Sequence, residues 1–158
     1  NGKPNVLFVE DELRSVFGSG IRVICTITDP YVVHHGALGG FVVVHLEEPS
    51  RADAICRHCM TLPGVAEALP REIAATKLEL PADRLGDLVV LSTRDWVLGR
   101  TAEHHDLDML GGVLRSHGSR YEEMVPLILS EPLPQSLQEH AWSDLRSFDL
   151  FPLLCPAS

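Results

Sequence analysis

The residues best suited to chemistry lie in the turn Ser116-His117-Gly118, which precedes a few polar residues and an apolar run at 125–129. A neutral imidazole is a common ligand of zinc. Glycine has no Cβ, so the backbone beside it can approach an ion or a ligand closely. From the residues alone, an exposed turn histidine is the more common outcome, and a metal ligand is the alternative.

A second pair of histidines, His34-His35, precedes a glycine-rich stretch at 36–40. Adjacent residues of an extended segment point to opposite faces, so the pair is poorly placed to bind one ion together, and we expect a structural contact instead. The glycine-rich stretch could present backbone N–H groups to an anion, but such stretches usually form only turns.

Two further clusters resemble metal sites. Cys56 and Cys59 form a C-x-x-C motif on a predicted helix, where both sulfurs share one apolar side and no second C-x-x-C completes a zinc site. We therefore expect buried structural thiols. The His104-His105-Asp106 run with Asp108 is a loose group of possible ligands, for which a solvated loop is the expected structure. Glu122-Glu123 should occupy a solvated turn.

Composition limits the class of protein. The 158 residues suit one domain or a small domain with an extension, and 45% hydrophobic residues are ample for a core. A formal charge of −9 and the lack of a basic stripe argue against a nucleic-acid or membrane-surface partner. No apolar run approaches the roughly 20 residues of a membrane-spanning helix. Four cysteines do not make a disulfide scaffold, so a cytoplasmic, reduced setting is expected.

The first part of the chain alternates strands and turns. The pattern predicts a strand at 6–9, a brief helix capped by Asp11 and ended by Gly18 and Gly20, and a strand at 21–27. A second strand rich in β-branched residues is predicted at 41–46.

A helix should start at Ser50, with Asp53 completing a capping box, and should end at Pro63-Gly64. A short strand at 65–69 and a helical turn at 70–75 should follow. Together with the two preceding strands, these elements predict a compact α+β unit in which a helix crosses one face of a small sheet.

The last part of the chain carries fewer signals. Residues 87–92 form a continuous apolar run between polar ends, which predicts a parallel strand covered on both faces. Residues 94–115 should be mostly irregular, 125–129 should form a further strand, and 144–150 should form a terminal helical turn.

Several segments resemble a known family. The Ser116-His117-Gly118 turn with the following Val125-Pro126-Leu127 is similar to the last metal-ligand motif of the alkaline phosphatase superfamily. Within that superfamily, residues 27–40 resemble the phosphonoacetate hydrolase family. Residues 86–92 and 146–151 are similar to that family's late core strand and closing segment.

The resemblance implies an α/β fold: the C-terminal part of an alkaline-phosphatase-like core sheet with a small α+β cap subdomain. Residues 1–20 would be a core segment, 21–76 the cap, and 77–158 the C-terminal core segment that carries the last metal-ligand motif.

The resemblance also implies a function. The family binds two zinc ions and cleaves the carbon–phosphorus bond of phosphonoacetate to acetate and phosphate, and His117 matches a ligand of one ion. The family's threonine nucleophile, its other Asp and His ligands and an Asp-His-Gly-Met motif lie in a longer N-terminal part that this chain does not contain. We expect a C-terminal portion with at most a partial zinc site, no catalytic residue of its own and no turnover alone. The implied partner is a small-molecule phosphonate, and a homo-oligomer stays open.

Two alternatives remain. One is a related phosphodiesterase or nucleotide pyrophosphatase of the same superfamily, against which residues 28–40 argue. The other is a non-catalytic α+β module that binds a small ligand or another chain. The second would be favoured if no Asp-His-Gly-Met motif preceded Asn1 in the complete gene.

Overall fold

The structure, a computed structural model, describes residues 4–26, 38–108, 114, 116–130 and 146–151. These residues fall into two compact units, one that ends at Met124 and one that starts at Val125. The strands are β1 (Val6–Phe8), β2 (Ile21–Cys25), β3 (Phe41–Leu46), β4 (Val65–Pro70), β5 (Leu88–Ser92) and β6 (Val97–Gly99), and the α-helices longer than one turn are α1 (Val9–Phe17), α2 (Ala52–Cys59) and α3 (Arg71–Leu78). The predicted mixed α/β fold is confirmed.

A four-stranded antiparallel sheet with the order β2-β3-β5-β4 forms the centre of the first unit. β5 is buried along its whole length because both faces of the sheet are covered. On one face, Leu88 and Val90 pack in a cluster with Ile55 of α2. On the other face, Val89 and Leu91 pack with α3. The predicted α+β unit is therefore present, and β5 completes it.

The prediction that β5 is a parallel strand is wrong. Its coverage on both faces is as predicted, but β5 runs antiparallel to both β3 and β4. A strand covered on both faces is a continuous apolar run whatever the direction of its neighbours, so composition could not decide direction. β5 comes from the predicted core segment 77–158, yet it pairs with strands of the predicted cap 21–76. The division into core and cap stays a prediction.

A short parallel pair lies beside this sheet. β1 pairs with β6, with Leu7 opposite Leu98. β6 falls in the segment 94–115, which was expected to be mostly irregular. Three residues are too few to give an alternating pattern, so the strand is recognisable only from its partner.

The strand predicted at 125–129 is absent. These residues are irregular and largely exposed, with Val125 73% and Ile128 86% accessible. No strand pairing of these residues is present among the described residues, and an apolar run without a paired strand does not form a ladder. The terminal helical turn, in contrast, is present as a 3-10 turn at Ser147–Asp149.

Both predicted helix caps are wrong. Helix α1 follows β1 without a loop and has Phe8 at its N-cap, so Asp11 lies inside the first turn, where its carboxylate accepts from the N–H of Ala102 at 2.7 Å. Helix α2 is preceded by a 3-10 turn at Pro49–Arg51, and its N-cap Arg51 makes no side-chain cap. Each helix therefore begins where the preceding element ends, at β1 for α1 and at the 3-10 turn for α2, and no side chain caps its N-terminus.

Some predictions concern residues outside the described ranges. These are the end of the predicted strand at Ile27, the pair His34-His35, and Gly36 and Ala37 of the glycine-rich stretch. Among the described helices, none combines the length and apolar character needed to cross a membrane.

Candidate functional site

An open cleft of about 600 Å³ lies in the first unit, at the edge where β3, β1 and β6 begin and β5 ends. Antiparallel pairing brings the start of β3 beside the end of β5, with Phe41 opposite Leu91. The described residues that line the cleft are Pro4, Asn5, Gly40, Ser92, Arg94, Asp95, Trp96, Val97, Leu114, Ser116, His117, Ser119 and Glu122.

The turn that carries His117 is held against the start of β3. The N–H of Gly40 donates to the carbonyl of His117 at 2.9 Å, and the carbonyl of Gly40 accepts from the N–H of Ser92 at 2.9 Å. The hydroxyl of Ser116 donates to the carbonyl of Leu38. Backbone hydrogen bonds thus tie the predicted metal-ligand turn to the end of β5 through one glycine.

Two glycines allow this close approach. Gly118 has a φ of +86°, a left-handed conformation that favours glycine. A Cβ built on Gly40 would lie 2.7 Å from both the Cα and the N of Ser119, closer than real atoms come. The missing side chain at Gly40 is therefore what lets the turn pack on β3.

The other side of the turn is closed by a capping box. The N–H and hydroxyl of Ser119 donate to the carboxylate of Glu122 across the 3-10 helix Arg120–Glu122. Arg120 extends from this helix to Glu67 of β4 at 2.9 Å. Hydrogen bonds from Lys77 and Arg120 hold the pKa of Glu67 below its usual value, despite the opposing effect of burial. The carboxylate therefore stays charged and ties the turn to the sheet.

The imidazole of His117 is exposed and lines the cleft. Within the described ranges, its ring makes no hydrogen bond or ion pair, so both nitrogens are free to bind. Among the described residues, no group of three or more His, Cys, Asp or Glu side chains is placed to hold a metal ion. The described part of the chain therefore does not hold a complete metal site, although Asp95 and Glu122 line the same cleft as His117.

The remaining cleft wall was not anticipated from the sequence. Ser92, at the end of β5, is only 2% exposed, and its hydroxyl is buried without a hydrogen-bond partner among the described residues. Arg94 is exposed and places its guanidinium carbon 5.1 Å from the ring centroid of Tyr121. A polar residue that ends an apolar strand, followed two residues later by a cation, is the signal that could have indicated these residues.

The cysteine pair is structural, as predicted. Cys56 is 6% exposed and Cys59 is fully buried on helix α2, in the main core cluster. Both are free thiols, and neither lines the cleft. Burial raises the pKa of Cys56 to about 11 and that of Cys59 to about 12, so both thiols stay protonated near neutral pH.

The prediction of a solvated loop around His104-His105 is only partly right. His104 is exposed, but His105 is only 6% exposed. Its Nε2 accepts from the N–H of Arg100 at 2.9 Å, and its ring stacks on Phe8 with the centroids 6.0 Å apart. The pairing of β6 with β1 brings this loop against the sheet, which the loop's own sequence does not reveal. Glu122-Glu123 are exposed, as predicted.

Comparison with known proteins gives a consistent result. No protein-family model matches the chain. The crystal structure of phosphonoacetate hydrolase from Sinorhizobium meliloti 1021 in complex with phosphonoformate is 43% identical, with a TM-score of 0.67. The match covers 74% of this chain and 29% of that chain. The same enzyme in complex with phosphonoacetate matches with 43% identity and a TM-score of 0.67, over 75% of this chain and 29% of that one.

The mixed α/β fold of this chain thus matches part of the fold of a hydrolase. The particular protein that it resembles is phosphonoacetate hydrolase, and the resemblance inferred from the sequence is confirmed. The chain spans less than a third of the length of that enzyme.

Proposed function

We propose that this chain forms part of a zinc-dependent hydrolase that cleaves phosphonoacetate to acetate and phosphate, and that His117 is one of the zinc ligands. The observation that carries the proposal is the 43% identity to a phosphonoacetate hydrolase whose crystal structure was solved with phosphonoacetate. The cleft beside His117 has room for such a small ligand.

The residues present fit one position of a zinc site. The ring of His117 is an exposed nitrogen donor beside the cleft. A structural or catalytic zinc takes at least three protein ligands, so at least one further ligand must come from outside the described residues. When bound, zinc stabilises the negative charge that develops on oxygens at the reacting phosphorus. The task of this chain is to hold His117 in place, through Gly40 on one side and Ser119 on the other.

The reaction balances as a hydrolysis. The phosphorus–carbon bond breaks, a phosphorus–oxygen bond forms with the oxygen of water, and the departing carbon takes up a proton to give acetate. We assign no nucleophile or general acid to this chain. The 158 residues by themselves should therefore show no turnover.

The test uses the protein with its complete natural sequence. Phosphate release from phosphonoacetate should exceed hydrolysis of a nitrophenyl phosphodiester, should stop after dialysis against a chelator, and should return with added zinc. A protein that prefers the phosphodiester would instead be a related phosphodiesterase. One that hydrolyses neither substrate with zinc bound would contradict the proposal.

A further inference from the structure

We propose that Glu67, on the edge strand β4, is a positioning residue for His117 and acts on it through Arg120. The inference deepens the proposed function and rests on it only for the zinc that His117 would bind. How firmly the turn Ser116-His117-Gly118 is held is a property of this chain, and it can be measured without metal or substrate.

A second open cleft leaves one side of this turn without closely packed neighbours. The second cleft has a volume of about 440 Å³, and residues 117–120 line it. Its apolar lining comes from β3, β5, α3 and the segment after α3, through Phe41, Leu91, Leu78 and Leu80. Because open space lies against the turn here, side-chain packing cannot fully fix the turn on this side, and polar contacts have to do so.

Arg120 supplies a polar contact on this side. It is the first residue of the 3-10 helix Arg120–Glu122, three residues after His117. Its Nη1 donates to Oε1 of Glu67 at 2.9 Å, and its Nε donates to Glu123 at 3.0 Å. The side chain of Glu67 is 22% exposed and that of Glu123 is 56% exposed, so water screens the contact with Glu67 less. Glu67 also belongs to the sheet, whereas Glu123 lies in the same segment as Arg120.

Glu67 is itself held where it can reach Arg120. It lies opposite Leu91 of β5, and opposed residues of paired strands share a face of the sheet, so Glu67 lies on the face that α3 covers. There, Lys77 of α3 donates to the other carboxylate oxygen, Oε2, at 2.5 Å. One oxygen thus bonds to a helix and the other to the turn, which fixes Arg120 relative to β4 and α3.

Gly118 makes this contact important for His117. It lies between His117 and Arg120, has a φ of +86°, and carries no side chain that limits backbone rotation. The direction of the imidazole ring therefore depends on contacts at both ends of the turn. One contact is the hydrogen bond from the Gly40 N–H, and the other is the Arg120–Glu67 pair. Loss of the pair should let the turn move away from the sheet and lower the affinity of the ring for zinc.

The first test is hydrogen exchange of the Gly40 amide, measured by NMR on the 158-residue chain. Its N–H donates to the carbonyl of His117, so its protection reports local opening of the turn. Glu67→Gln should speed this exchange about threefold to fivefold, as for the loss of a partly exposed ion pair. Arg120→Gln should have a similar effect, and the double variant should add little, because both changes remove one contact.

Two control variants separate positioning from general stability. Glu123→Gln makes the same chemical change at the other partner of Arg120 and should leave exchange at Gly40 unchanged. Cys56→Ala lowers the stability of the whole fold at a buried position far from the turn in sequence, and it should also leave that exchange unchanged. Equal acceleration in Glu67→Gln and in either control would overturn the proposal, since the Glu67 contact would then have no particular hold on the turn.

The second test uses the protein with its complete natural sequence. Glu67→Gln should raise the Kd for zinc about threefold to tenfold, less than the loss of a group bonded directly to a metal ligand. The KM for phosphonoacetate at saturating zinc should not change, because neither Glu67 nor Arg120 is among the described residues that line the cleft of about 600 Å³. Glu67→Asp keeps a carboxylate and should restore most of the zinc affinity.

The two proposals fail independently. Should the complete protein hydrolyse phosphonoacetate with a zinc Kd that Glu67→Gln does not change, Glu67 is not a positioning residue and the proposed function stands. Should exchange at Gly40 respond as expected while the zinc-loaded complete protein leaves phosphonoacetate intact, Glu67 positions the turn and the proposed function is wrong.

Discussion

The N–H of Gly40 donates to the carbonyl of His117 at 2.9 Å, so the start of β3 directly positions the candidate metal ligand. The same glycine accepts from the N–H of Ser92, and its missing side chain leaves room for Ser119. Gly40 thus joins the His117 turn to the end of β5, and a substitution at Gly40 should shift the position of His117.

Gly40→Ala should therefore damage the site more than the fold. The added Cβ meets backbone atoms of Ser119 at 2.7 Å, and backbone cannot move aside as a flexible side chain can. Overpacking of this kind costs about 1–3 kcal/mol of the free energy of unfolding, which urea denaturation measures. Amide chemical shifts of residues 116–119 should change with it. Gly18→Ala is the control: its φ of +79° makes the substitution cost stability, but its added Cβ meets no atom within 4 Å, so it should leave the shifts of residues 116–119 unchanged. Unchanged shifts at His117 in Gly40→Ala would contradict the role of Gly40.

His117→Ala should remove most activity of the complete protein without lowering its stability. The ring is exposed and makes no hydrogen bond within the described ranges, so the free energy of unfolding should change by less than about 0.5 kcal/mol. The turnover rate should fall at least about 10²–10³-fold, as for the loss of other electrostatic stabilisers, and added zinc should partly restore it. Bound zinc is measured alongside by elemental analysis.

The control for this variant is His104→Ala, an exposed histidine that does not line the cleft. His105→Ala is unsuitable, because the His105 ring is buried and accepts a hydrogen bond from the Arg100 N–H. Near-normal turnover with full zinc content in His117→Ala would show that His117 is not a ligand.

Cys56→Ala and Cys59→Ala should lower stability and spare activity. Each change deletes a buried sulfur from the packed side of α2, at a cost of order 1 kcal/mol in the free energy of unfolding. With pKa values of about 11 and 12, the two thiols should react slowly with iodoacetamide at pH 8 until the chain unfolds. Mass spectrometry of the native and urea-treated protein measures this. A hundredfold loss of activity in a folded variant would instead give helix α2 a chemical role.

Glu10 should make stability fall at acid pH. Burial opposes its charge, but hydrogen bonds from the Val23 N–H and Arg100, with the charges of Arg100 and Arg14, bring its pKa below the ordinary 4.5. A lowered folded-state pKa stabilises the fold above pH 4.5, and this stabilisation is lost as the pH falls through the lower value. Urea denaturation at a series of pH values should show that decline.

Glu10→Gln identifies the source of the decline. It should cost about 2 kcal/mol at pH 7, because two arginines lose a buried partner, and should flatten the acid dependence. Glu72→Gln, at an exposed position of α3, should leave the pH dependence as it is. An acid decline of equal size in both variants would exclude Glu10 as its cause.

Local patterns in the sequence were sufficient for most elements of the first unit. The β-branched runs at β2 and β3, the helical spacing of Cys56 and Cys59, and the uninterrupted apolar run of β5 each describe what one segment buries. The pattern of apolar residues within a segment indicates which of its side chains are buried, so these elements and the burial of the thiols could be predicted from the sequence. The turn Ser116-His117-Gly118 was also recognisable, because a motif is a local feature.

The tertiary structure decided what depends on two segments at once. The direction of β5 is set by its partners, the existence of β6 by its pairing with β1, and the burial of His105 by the contact that this pairing creates. The apolar run at 125–129 has the composition of a strand, but it pairs with no strand among the described residues and stays irregular. Likewise, no pattern in the sequence indicates that Gly40 holds His117, or that the Ser92 hydroxyl has no hydrogen-bond partner among the described residues. Pairing direction, close approach and an unsatisfied hydrogen bond are relations between atoms far apart in the chain, and only the folded structure fixes those relations.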